Sequence, residues 1–148
     1  MPAAKQSARK AASKVFSAEE KAAMKELVKE RKANLTRAEA AADCLAKIAE
    51  MPPSDRRMAE RVHKIITTNA PELAPKTWYG MPAYADADGK VVLFFQNSGK
   101  FNYRYSTLGF QDAANLDDGD LWPVSYALQN WSAAVEKKVA ELVKTAVS

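Results

Sequence analysis

Apolar and polar residues in the first third of the chain repeat with the 3.6-residue period of amphipathic helices. Ser17 and Glu20 have the spacing of a capping box, and so have Thr36 and Glu39. We therefore predict a helix after each box, with a break between the two. The apolar spacing alone is also compatible with one continuous helix over residues 18–50, so both alternatives stay open.

Two further helices are predicted, each with one apolar face. Prolines at positions 52 and 53 end the preceding helix, and Ser54 is placed to cap the next one, which stops before Pro71. Ser132 is placed to cap the last helix. The apolar stripes have helical spacing and consist of Met58, Val62, Ile65 and Ile66 in the third helix and Val135, Val139, Leu142, Val143 and Val147 in the last.

The segment between these two helices has the pattern of short strands joined by turns. Twelve of the 13 aromatic residues lie in residues 78–131, and aromatic side chains favour the pleated surface of a sheet. Asp-Gly at residues 88–89 and Asn-Ser-Gly at residues 97–99 are typical of turns. We predict strands over residues 91–96, 101–106 and 122–128, and a bent strand over residues 78–84.

The order of helices, strands and a final helix predicts an α+β fold. It would be a two-layer sandwich of N-terminal helices, an antiparallel β-meander and a C-terminal helix, with the third and last helices on the same face of the sheet. We expect a single domain over residues 16–148, with a helical extension over residues 16–53 and a core over residues 54–148. Residues 1–15 have no large apolar residue before Val15, and we expect a disordered basic tail.

The net charge of +4 comes from the tail, which holds four basic residues and no acid. The other 18 basic residues are balanced by 18 acidic ones. Dedicated nucleic-acid binding needs a basic surface, so we expect at most weak contacts through the tail. A single cysteine fits a reducing compartment, and the sequence shows neither a secretory signal nor an apolar run of membrane-spanning length. We expect a cytoplasmic protein without membrane contact.

Common catalytic motifs are absent from the sequence, including phosphate-binding glycine loops, the nucleophile elbow, Cys-x-x-Cys and the zinc-protease motif. His63 is the only histidine, and it lies at the border of an apolar helical stripe, where packing or surface roles are more common than catalysis. Cys44 lies among small and apolar residues of a helix, where cysteine behaves as a small hydrophobe. We predict a protein that is not an enzyme and has no cofactor.

The most unusual string is Trp-Tyr-Gly-Met-Pro-Ala-Tyr at residues 78–84. Tryptophan and tyrosine combine a large apolar body with a polar tip. With two nearby cations, this bend could line a pocket for an anionic aromatic or amphiphilic ligand, or bind a protein partner. The candidate ligand-binding residues are Trp78, Tyr79, Met81, Tyr84, Lys100 and Arg104. The alternative is an aromatic core closed by an irregular turn.

A second candidate site is the acidic stretch over residues 111–120. Hard cations such as iron, calcium and magnesium prefer carboxylate oxygens. The stretch holds no base and four carboxylates, those of Asp112, Asp117, Asp118 and Asp120. Its spacing does not match an EF-hand, and the sequence Asp-Gly-Asp at its end is equally typical of a tight turn. We expect weak, oxygen-only binding of Fe²⁺ at best.

Three strings between about residue 59 and residue 147 are distinctive: Gly-Met-Pro-Ala-Tyr at residues 80–84, Gly-Lys-Val-Val-Leu-Phe-Phe at residues 89–95 and Leu-Gly-Phe at residues 108–110. Through these strings, this part of the chain resembles the family called domain of unknown function 1801, or YdhG-like. The N-terminal extension and the Asn-Leu-Asp-Asp-Gly string are similar to a bacterial subgroup. The resemblance implies a frataxin-like α+β sandwich and, as an alternative function, iron-chaperone activity. Unlike the acidic ridge that such activity would use, the helices here interleave acids with bases.

Overall fold

A computed structural model describes residues 17–33 and 36–148 of the chain. The predicted basic tail over residues 1–15 lies outside the described residues. The N-terminal region contains two helices, α1 over Ala18–Ala33 and α2 over Arg37–Ala49, so the alternative of one continuous helix is wrong.

Both predicted capping boxes start a helix. The Ser17 hydroxyl accepts a hydrogen bond from the Glu20 amide at 3.1 Å, and the Thr36 hydroxyl accepts one from the Glu39 amide at 3.2 Å. Each bond satisfies an amide of the first turn that has no partner within the helix. The side chains described in α1, those of residues 18–28, are exposed or half-buried, so this helix is peripheral.

The remaining elements follow the predicted order. They are α3 (Pro53–Asn69), β1 (Ala74–Trp78), β2 (Met81–Ala85), β3 (Val91–Gln96), a 3₁₀ turn (Ser98–Lys100), β4 (Ser106–Phe110), β5 (Ser125–Leu128) and α4 (Ala133–Ala146). The predicted α+β class, with an antiparallel meander followed by a C-terminal helix, is confirmed. As predicted, Ser132 caps α4 through a hydrogen bond from the Val135 amide. Within residues 17–33 and 36–148, we find no helix of the length and apolar character needed to cross a membrane.

The five strands form one sheet in the order β1-β2-β3-β4-β5, so β3 is central and β1 and β5 are its edges. The predicted bent strand over residues 78–84 is wrong, because β1 and β2 form a hairpin that pairs Trp78 with Met81. Its two turn residues, Tyr79 and Gly80, have φ angles of 51° and 74°. Positive φ at both positions is what a two-residue turn needs to match the twist of the strands.

One face of the sheet carries the core. Directly paired residues of antiparallel strands share a face, so Tyr84, Leu93 and Phe110 lie on the same side. These side chains belong to one buried cluster with residues of α2, α3 and α4, among them Cys44, Val62 and Val143. Helices α3 and α4 also contact each other. The prediction that the third and last helices pack on the same face of the sheet is therefore confirmed.

The start of α3 differs from the prediction. The helix begins at Pro53, and Ser54 lies inside its first turn without acting as a cap. Proline is favoured at the first helical position because its missing amide needs no partner there. The polar side chain that acts at this end is Asp55, which is buried and binds the 3₁₀ turn through its carboxylate.

Two predicted strands also differ. Residues 101–105 form turns rather than a strand, because Asn102 has a φ angle of 59° and pairing begins only at Ser106. The last strand begins at Ser125 instead of residue 122. Proline at position 123 has no amide for a strand ladder, which accounts for the shorter strand.

Candidate functional site

A cavity of about 780 Å³ lies between helix α2 and the edge strand β1. Its wall includes all five residues of β1, the loop between β2 and β3, and residues 111–113, which follow β4. Helix α2 contributes Thr36, Arg37, Ala40 and Asp43, and α1 contributes Leu27. The volume lies within the range of about 300–1,000 Å³ that is typical of small-molecule sites.

The two ends of the cavity lie at the two ends of strand β1. Ala74 pairs with Ala85, so the Ala74 end of the cavity lies beside the loop between β2 and β3. Trp78 lies at the opposite end, next to the hairpin turn. The loop carries Asp86 and Lys90, and both line the cavity. The Trp78 ring itself lies on the face of the sheet opposite the helices, against Phe94. The cavity therefore has a charged end at the loop and a second end at the turn.

Helix α2 runs along the cavity from the loop end towards the hairpin turn. Lys47, near its C-terminal end, forms a 3.5 Å ion pair with Glu26, whose side chain lies beside Gly80 of the hairpin turn. The other end of α2, with Arg37, is therefore at the loop end of the cavity. Leu27 follows Glu26 in α1 and lies at the turn end of the cavity.

Thr77 is the most unusual residue of the wall. It is only 3% exposed, and its Oγ1 has no hydrogen-bond partner among the residues that the structure describes. A buried hydroxyl without a partner costs about 1–3 kcal/mol of stability. Such groups are rare in folded proteins and are often explained by bound water, an ion or a ligand.

Comparisons with known proteins found no matching family model, no matching curated protein and no matching solved structure. The site is therefore interpreted from its own geometry.

The six candidate ligand-binding residues are not gathered in this cavity. Trp78 lines it, but Tyr79 lies in the hairpin turn and packs its ring edge-on against Trp78, with centroids 4.9 Å apart. Met81 is buried opposite Trp78. Tyr84 is 1% exposed on the core face of the sheet and is not available to a ligand from outside.

The two predicted cations lie elsewhere. Lys100 lines a smaller cavity of about 390 Å³ with Gly80, between α1, the end of α2 and the 3₁₀ turn. The Arg104 guanidinium lies 5.3 Å from the ring centroid of Tyr105, an arrangement typical of a cation–π contact at the surface. Of the six candidates, Trp78 alone lines the 780 Å³ cavity.

The four candidate metal-binding aspartates are not gathered either. Asp112 lies in the wall of the 780 Å³ cavity, and Asp117, Asp118 and Asp120 are exposed in the loop before β5. Among residues 17–33 and 36–148, no three histidine, cysteine, aspartate or glutamate side chains are placed to hold a metal ion. The structure therefore gives no support to a preformed iron site in this stretch.

Sequence analysis missed the residues that make up most of the cavity wall. Arg37 and Ala40 come from α2, Thr77 from β1 and Lys90 from a loop, and no local motif links them. The only signal in the sequence was Thr77 beside Trp78 at the start of the aromatic segment. That signal does not reveal the helix that packs against the strand.

A partly buried polar chain connects the only histidine with the only cysteine on the core side of the sheet. His63 Nδ1 lies 2.8 Å from the Tyr84 hydroxyl, and the Cys44 thiol lies beside that same hydroxyl. Burial raises the pKa of Cys44 to about 11, although the Ala83 amide and the Tyr84 hydroxyl oppose this effect. Burial also raises the pKa of Tyr84 well above its usual value. All three groups are therefore neutral at physiological pH, since burial lowers the pKa of His63.

Titration of His63 is expected to make the fold less stable in mild acid. Its folded pKa lies below the usual 6.5, so the unfolded chain binds this proton more readily than the folded protein. Its contribution to the free energy of unfolding is complete above pH 6.5 and is lost as the pH falls towards the folded pKa. Urea unfolding of the wild type and His63→Gln between pH 5 and pH 8 measures the difference. His63 is the only side chain with an ordinary pKa in this interval, so an unchanged pH slope in the variant would refute the assignment.

Proposed function

We propose that this protein is a non-catalytic binding module that holds a small amphipathic ligand in the cavity between α2 and β1. The observation that carries the proposal is the two-ended wall of this cavity, with Arg37 at the loop end and Leu27 at the turn end.

Two further observations favour binding over catalysis. Cys44 is completely buried and its raised pKa keeps the thiol protonated, so it is a poor nucleophile. His63 Nδ1 is engaged with Tyr84. Neither side chain lines the cavity, so neither can act on a molecule held there.

A cavity-filling variant tests the site. We expect Ala40→Phe to abolish ligand binding, because Ala40 is half-buried in the cavity wall and a phenyl ring would occupy the space. The measurement is a thermal-shift screen of a metabolite library against the wild type and the variant. A ligand at about 100 times its Kd raises the free energy of unfolding by about 2.7 kcal/mol.

The matched control is Ala42→Phe, which places the same side chain on an exposed position of the same helix. Compounds that stabilise the wild type and Ala42→Phe but not Ala40→Phe bind in the cavity. If every stabilising compound acts equally on both variants, ligands bind elsewhere and the proposed site is wrong. If no compound stabilises the wild type, a small-molecule function is wrong and a protein partner at this surface becomes the better hypothesis.

The remaining expectations from the sequence are also proposals. The single buried cysteine fits a cytoplasmic location, and membership of the domain of unknown function 1801 family stays a prediction. Iron carriage is the weaker alternative, because the four aspartates proposed for it are dispersed. We therefore place no metal in the proposed function.

A further inference from the structure

The charged side chains in the cavity wall are of both signs and are nearly balanced. The bases are Arg37, Lys76 and Lys90, and the acids are Asp43, Glu72, Asp86 and Asp112. No ion pair within 4 Å joins any of these seven side chains to another described residue. The ion pairs among the described residues are Lys47 with Glu26, Lys47 with Glu50, and Arg56 with Glu60. Charges of both signs are therefore available to a ligand.

From these charges we infer that the ligand is a zwitterion with an apolar side group, the chemistry of a free amino acid. This inference rests on the proposed binding function. A ligand with a single charge would meet repulsion from about as many like charges as attraction from opposite ones. A ligand with adjacent positive and negative groups can use both sets, since each of its groups is attracted to one of them.

The positions of the charges support an oriented ligand. Arg37 and Lys90 lie at the loop end of the cavity, and Glu72 lies at the same end because it precedes β1. The carboxylate of Asp86 is already used in its own loop, where it accepts hydrogen bonds from the amides of Asp88 and Lys90. Arg37 is therefore assigned to the ligand carboxylate and Glu72 to its ammonium group. A guanidinium is suited to the first role because its donors match both carboxylate oxygens.

The opposite end of the cavity accounts for the apolar side group. Leu27 lies there, and Ala40 leaves room between the two ends. An aromatic or aliphatic side chain placed against Leu27 removes apolar surface of both molecules from water. The cavity is therefore expected to select amino acids with large apolar side chains over polar ones.

Calorimetry with L-phenylalanine and two analogues of the same shape tests this inference. Phenethylamine lacks the carboxylate, and phenylpropanoate lacks the ammonium group. We expect the amino acid to bind at least tenfold more tightly than either analogue, which corresponds to about 1.4 kcal/mol. Arg37→Gln should reduce the affinity for L-phenylalanine to that for phenethylamine, and Glu72→Gln should reduce it to that for phenylpropanoate. Lys137→Gln, at an exposed position of α4, is the control and should change neither.

The outcomes separate this inference from the proposed function. If an analogue binds as tightly as the amino acid, and Ala40→Phe abolishes that binding, the cavity is a binding site but the zwitterion is wrong. If L-phenylalanine and a panel of the other apolar amino acids all fail to bind at millimolar concentration, the inference is wrong, and the metabolite screen decides the proposed function independently. Equal loss in Arg37→Gln and Lys137→Gln would overturn the assignment of Arg37.

Discussion

Replacing Asp55 with alanine is expected to lower the free energy of unfolding by about 2–3 kcal/mol. Asp55 is only 7% exposed, and its carboxylate accepts three hydrogen bonds, from the Ser98 hydroxyl at 2.8 Å, the Gly99 amide at 3.1 Å and the Asn97 side-chain amide at 3.2 Å. Alanine would leave these donors without their acceptor. It would also remove an acid from the first turn of α3, where the helix dipole favours negative charge. Urea unfolding of the purified variant measures the loss.

Two matched variants make this prediction specific. Glu60→Ala removes an exposed acid from the same helix, whose contact with Arg56 is 3.7 Å long, and should change stability by less than about 0.5 kcal/mol. Asp55→Asn retains one acceptor oxygen and should lie between the wild type and Asp55→Ala. A loss in Glu60→Ala equal to that in Asp55→Ala would contradict the role given to the three hydrogen bonds.

Adding a single methyl group at Gly109 is expected to destabilise the sheet by about 1–3 kcal/mol. Gly109 of β4 pairs with Phe94 of β3, and the Phe94 ring lies over the glycine. The added Cβ would overlap the Phe94 ring, so the ring has to move. Movement also disturbs the contact between Phe94 and Trp78, whose ring centroids are 5.4 Å apart. Thermal unfolding of Gly109→Ala measures the effect.

The double variant Gly109→Ala/Phe94→Leu provides the control for this clash. If the ring is the obstacle, Gly109→Ala should destabilise the Phe94→Leu background less than it destabilises the wild type. A double-mutant cycle gives this difference as an interaction energy. Identical effects in both backgrounds would show that the loss has another cause, such as a backbone change in β4.

The local elements of the fold were predictable because their signals lie within a few residues of each other. The capping boxes at Ser17 and Thr36 and the apolar stripes of α3 and α4 follow from bonds and contacts inside one helix. Where a distant residue decides the conformation, prediction failed. Residues 101–105 alternate like a strand, but the preceding 3₁₀ turn is bound to Asp55, more than 40 residues away, and the chain reverses at Asn102 before pairing begins.

The candidate site was less predictable than the fold for the same physical reason. The sequence identified one residue of the cavity wall, Trp78. It placed Tyr84 in the same site, although alternate residues of a strand point to opposite faces and the hairpin turns at Tyr79 and Gly80. The rest of the cavity wall includes residues of α1 and α2, and their positions depend on packing rather than on spacing.

The rate at which a reagent modifies the buried thiol of Cys44 is expected to report how often the fold opens. Cys44 is inaccessible, and its raised pKa keeps it protonated, so a thiol reagent in solution can react only with molecules in which α2 has separated from the sheet. Cys44 is the only cysteine, so the rate of modification reports on a single, known position. Because the same helix forms one wall of the 780 Å³ cavity, a ligand held there would have to leave before the thiol reacts. The slowing of the reaction would therefore measure occupancy of the cavity without any label on the ligand.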